Sequence, residues 1–101
     1  MSRIKIVSHW SDSEHEAFVQ NATRIKAIWL RHGAEDFRVD RLHLGQAPGQ
    51  YRVTTTFASW EAFGRASDRI TGDQDFMEMM SASYSNGRMT ARELLVEVEL
   101  D

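Results

Sequence analysis

Arg41, His43 and Tyr51 are the residues of this chain best suited to chemistry on a small molecule. Arg41 and His43 lie two positions apart in the apolar-rich stretch FRVDRLHL, so in a strand they share one face. Tyr51 follows after a short Gly- and Pro-containing segment. A histidine beside an arginine and a tyrosine in an apolar cleft suits an anionic or phenolic ligand. Histidine is the side chain whose ordinary titration lies near neutrality, so His43 would act as the base, with Tyr51 as its catalytic companion. Arg41 would bind the ligand's negative charge. Ser8 and Trp10 alternate within KIVSHW and would add a hydroxyl and an indole to the same surface. Trp29, Phe76 and Met80 are the apolar candidates for lining such a cleft, methionine because it adapts to varied shapes. Core packing is the competing use for all three.

The other histidines are His9, His15 and His32. No pair among the four has metal-site spacing, and there is no cysteine to complete a set, so neither a metal nor a cofactor is expected. His15 and His32 read as helix-surface or helix-end residues. Phosphate-binding glycine loops and nucleophile-elbow motifs are absent from the sequence.

The elements that must position these groups are readable from periodicity. Ile4–Trp10 alternates as a strand, with Ile4, Ile6, Ser8 and Trp10 on one face. SDSEHE offers two capping boxes, Ser11 with Glu14 or Ser13 with Glu16. The helix that follows carries Phe18, Ala22, Ile25, Ile28, Trp29 and His32 on one side and ends at Gly33. Phe37–Leu44 is a second strand with a flaw. Either a bulge near Asp40–Arg41 shifts its phase, or Arg41 and His43 point where Phe37 and Val39 point. Gly45–Gly49 would turn the chain into a third strand, Tyr51–Ala58. Ser59 caps a helix that breaks near Thr71–Gly72, and Asp73 caps a further segment, Gln74–Tyr84. After a turn at Asn86–Gly87, Met89–Leu100 alternates as the last strand.

The order is βαββαβ. Short connections and right-handed crossovers turn it into an α+β, ferredoxin-like sandwich. Four antiparallel strands in the order 4-1-3-2 carry their helices on one face. A chain of 101 residues, 42% hydrophobic and 27% charged, fits one domain over residues 1–101. The net charge of −3, without a basic block, disfavours nucleic acid and anionic membranes as partners. The uncovered sheet face would carry Arg52, Thr54 and Thr56 rather than the stacking aromatics of an RNA-binding sheet. The N-terminus lacks a signal-peptide pattern and no stretch approaches the ~20 apolar residues of a membrane helix, so a cytoplasmic location is expected.

The order, the length and the junction TTTFASWEAFGRASDRITGDQDFMEMM resemble the dimeric α+β barrel superfamily, which includes antibiotic-biosynthesis-monooxygenase-like proteins. Phe57–Phe63 and Asp73–Met80 are the most family-like pieces. The resemblance implies a homodimer in which two sheets face each other to close a barrel. It also implies ligands held between a subunit's sheet and its helices, and relatives that include cofactor-free oxygenases and haem-degrading enzymes. The haem-degrading members carry an Asn on strand one, a Trp inside the second helix and a His further along it. Here strand one has no Asn, Gly64–Ala66 no Trp and Phe76–Met80 no His, so haem is not expected.

Two functions follow as expectations. The first is a homodimer binding a small molecule between sheet and helices, in its catalytic form a cofactor-independent monooxygenase-like enzyme. The alternative is a non-catalytic interaction or assembly domain using the charged sheet face, with Arg3, Lys5, Glu93, Glu97 and Glu99.

Overall fold

The chain runs β1 (Ile4–Asp12), α1 (His15–Arg31), β2 (Asp36–Arg41), β3 (Gln50–Phe57), α2 (Trp60–Thr71), α3 (Gln74–Asn86) and β4 (Gly87–Val96) in a computed structural model that describes residues 2–43 and 49–100. The strands form one antiparallel sheet in the order β2-β3-β1-β4, the expected order read from the opposite edge. The fold is a ferredoxin-like α+β sandwich. Alternation in β1 sends Ile4 and Ile6 to the helix side. There they meet Phe37 and Phe57 from the sheet and Ile28, Trp29, Ala66 and Ile70 from the helices. Each large apolar side chain buried this way contributes roughly 1.5–3 kcal/mol. A second, smaller cluster of Trp10, Phe18 and Tyr51 lies at the far end of the same face.

The α2 start is as expected: Ser59 Oγ accepts from the Ala62 amide at 3.1 Å. Asp73 Oδ1 likewise caps α3 by accepting from Phe76 N at 3.1 Å. Its other oxygen accepts from Arg31 Nη2 at 2.7 Å and His32 Nε2 at 2.5 Å, which ties the start of α3 to the end of α1. These donors, His32 first, hold the Asp73 carboxyl well below the usual carboxylate range.

Several boundaries differ from the sequence reading. β1 continues to Asp12, so neither capping box forms. Glu14 occupies the cap of α1 without a side-chain bond, and its amide donates to Asp12 Oδ1 at 2.8 Å. Asp12 is a junction. Its amide donates to Gly49 O at 2.7 Å, and Gly49, at φ +85, comes so close that a Cβ there would lie 2.3 Å from the Asp12 carbonyl oxygen. β2 stops at Arg41 and pairs with β3 without a phase shift from Asp36 to Arg41. Leu42 therefore marks no second phase, because the strand has already ended. Leu44 and most of the Gly45–Gly49 turn lie outside the described residues. The register shift falls instead in β4. Ala91 pairs with His9 and Met89 with Trp10, and the intervening Thr90 donates its hydroxyl to the His9 carbonyl at 3.2 Å. The expected Asn86–Gly87 turn is absent, since α3 runs to Asn86 and the extended Gly87 begins β4 directly. β4 ends at Val96, opposite the first residue of β1, Ile4, and four residues short of the expected Leu100; one further backbone bond, from Glu97 N to Arg3 O at 2.9 Å, follows it.

Candidate functional site

β1 is a central strand, so its helix-side residues Ile6, Ser8 and Trp10 form the middle of a floor. Helix α1 roofs this floor with Phe18, Ala22, Ile25 and Trp29; α2 adds Ser67, Ile70 and Thr71; α3 adds Phe76, Met80, Ser83 and Tyr84. They line a cavity of about 450 Å³ that opens to solvent, with side chains of both core clusters on its wall. Small-molecule sites fall in this size range and have this largely apolar lining.

The polar groups on the wall are few. Trp10 Nε1 donates to Ser8 Oγ at 3.0 Å, which fixes the indole. The Trp10 ring lies 6.4 Å from Phe18 edge-on and 5.2 Å from Tyr84. Thr71 and Ser83 give their hydroxyl protons to backbone carbonyls one helical turn back, at 2.9 Å each. Arg92 of β4, opposite Ser8 in the register, is the one charged residue on the wall among the described residues.

The sequence candidates separate into two groups. Ser8, Trp10, Trp29, Phe76 and Met80 all reach the cavity wall. Arg41, His43 and Tyr51 do not. Arg41 does share the helix-side face, with its guanidinium carbon 6.0 Å from the Tyr51 ring centre. Tyr51 is 1% exposed and stacks on Phe18 with ring centres 4.0 Å apart, behind the wall rather than on it. His43 lies past the end of β2, exposed. The histidine beside Tyr51 is His15, whose Nδ1 is 2.7 Å from the tyrosine hydroxyl.

Two residues were thus missed. Arg92 left a signal: carrying the Leu94–Val96 face of β4 back by two positions places it over the helix side. His15 left none, because the first residue of α1 meets Tyr51 only through tertiary packing. No group of three or more His, Asp or Glu is placed to hold a metal ion among the described residues.

On the other sheet face, His9 Nε2 meets Glu93 at 2.9 Å, Lys5 meets Glu97 at 3.4 Å, Arg3 meets Glu35 at 2.8 Å and Arg52 meets Asp40 at 3.3 Å. Five of its charged residues, Lys5, His9, Arg52, Glu93 and Glu97, thus have partners within the chain. No helix among the described residues is long and apolar enough to cross a membrane.

The chain has a ferredoxin-like α+β fold, with a cavity between its sheet and its helices and the opposite sheet face uncovered, and solved structures share that fold. The solved structures it is similar to include SnoaB, a cofactor-independent oxygenase from Streptomyces nogalater. A mutant form of SnoaB aligns with TM-score 0.80 at 15% identity over 99% of this chain and 97% of that one. A candidate antibiotic biosynthesis monooxygenase from Caulobacter crescentus aligns with TM-score 0.74 at 19% identity, covering 97% of this chain and 92% of its own. A dimeric ferredoxin-like protein from an uncultured marine organism covers 100% of both chains, with TM-score 0.67 and 12% identity. No protein family matches the sequence, and no curated protein does.

Proposed function

We propose that the protein is a homodimer that binds an aromatic small molecule between its sheet and its helices and oxidises it with O2 as a cofactor-independent monooxygenase-like enzyme. The cavity of about 450 Å³ carries this reading. The likeness to SnoaB supports the oxygenase half of it, and the dimeric ferredoxin-like structure supports the homodimer. His43 and Tyr51 are not assigned to the chemistry, because both lie off the wall; Tyr51 supports Phe18 from behind.

The test has two parts. Native mass spectrometry of gently purified protein is expected to give a dimer carrying a small-molecule mass. Oxygen uptake with an electron-rich polycyclic phenol, and no added metal or flavin, is expected to exceed the autoxidation rate. Both signals should be lost in Met80→Trp, which fills the cavity from α3, while the circular dichroism spectrum is kept. A ligand-free protein with uptake equal to autoxidation overturns the reading.

The assembly role through the charged face gains little from the geometry. Lys5, His9, Arg52, Glu93 and Glu97 already have partners, and exposed pairs of this kind contribute at most ~1 kcal/mol each.

A further inference from the structure

Resting on the reading of the cavity as a ligand site, we propose that its ligand is an aromatic carboxylate, with its rings against Trp10 and its carboxylate held by Arg92 and Ser8. Arg92 is solvent-exposed at the cavity wall and makes no hydrogen bond or ion pair among the described residues. Ser8 accepts from Trp10 Nε1, so its own hydroxyl proton is free to be donated. Ser8 and Arg92 are opposite one another across β1 and β4, and cross-strand neighbours of this kind stand about 5 Å apart at Cβ.

Two donors side by side, with no acidic residue on the wall among the described residues, call for a partner that only accepts. A carboxylate is such a group, and its planar pair of oxygens matches the guanidinium fork. A phosphate carries more charge and more acceptors than one arginine and one serine satisfy, and the rest of this region is apolar. The body of the ligand follows from the indole. Trp10 is fixed by Ser8 and flanked by Tyr84 and Phe18, which makes a rigid aromatic surface for a ring system to pack on.

Calorimetric titration of the full chain with 2-naphthoate and with 2-naphthalenemethanol tests this, because the two share their rings and differ in charge. The naphthoate is expected to bind about tenfold tighter, the worth of one charge-assisted contact. Arg92→Gln should bring it down to the level of the alcohol, Ser8→Ala should weaken it in part, and Arg92→Lys should fall between, since lysine keeps the charge and loses the fork. Arg88→Gln, on the opposite face of the same strand, should leave both affinities unchanged. Equal binding of the two probes, or naphthoate binding indifferent to Arg92→Gln, overturns the carboxylate subsite and leaves the cavity reading standing. Binding of neither probe overturns both.

Discussion

The histidine that meets Tyr51 comes from the first turn of α1, not from the strand next to it. Sequence reasoning paired His43 with Tyr51 because the two flank a short connection, and proximity along the chain was the only available guide. His43→Ala is therefore expected to leave cavity binding unchanged, as calorimetry with an aromatic probe would show. Tyr51→Phe keeps the stack on Phe18 and removes the bond to His15, so a loss of about 1 kcal/mol in urea unfolding is expected. At the other end of α1, Asp73 binds its proton less readily folded than unfolded, relative to the ordinary carboxyl value of 3.8. Its contribution is thus complete at neutral pH and fades as pH falls below about 4 towards the folded value. Asp73→Asn should lower the thermal midpoint at pH 7, and the gap from the parent should narrow steadily towards about pH 2. A gap independent of pH would count against the pairing with Arg31 and His32.

Helices announced themselves more fully than strands did. The stripe through Phe18, Ala22, Ile25, Ile28 and Trp29 and the cap at Ser59 are local features, and both helices formed where they indicated. Ser59→Ala should cost about 1 kcal/mol of stability. Strand ends are decided by partners. The alternation of β4 runs on through Val98 and Leu100, yet the ladder stops at the pair Ile4–Val96. The same cause hid part of the site, since the residues that line the cavity come from all seven elements and share no sequence pattern. Ser8 and Trp10 were legible because they sit in phase with Ile4 and Ile6. Gly49 is another tertiary constraint: Gly49→Ala is expected to destabilise by about 1–3 kcal/mol, through its positive φ and the Asp12 carbonyl pressed against it.

For the molecule as a whole, the sheet has one face spent on the core and one face carrying cross-strand ion pairs around the buried Val7. Leu94 and Val96 remain 50% and 46% exposed on the helix side of β4, and Val98 and Leu100 continue that apolar row beyond the strand. Such a row at a sheet edge is better covered than wet. Light scattering should therefore report twice the chain mass. Val98→Asp should shift the protein towards monomer without changing its circular dichroism; an unaltered dimer would remove this row from the contact.

The placement of β1 between β3 and β4 also has a consequence in time. His9 and Glu93 touch although 84 positions separate them in the chain. At ribosomal speeds of about 5–20 residues per second, β1 waits on the order of 5–15 s for that neighbour to be made. Throughout that interval Ile4 and Ile6 lie on a strand with an open edge, which is a template for the wrong chain as much as for the right one. Nascent chains halted before Gly87 are expected to be cut readily by protease and to recruit chaperones, and to lose both properties once β4 is in place.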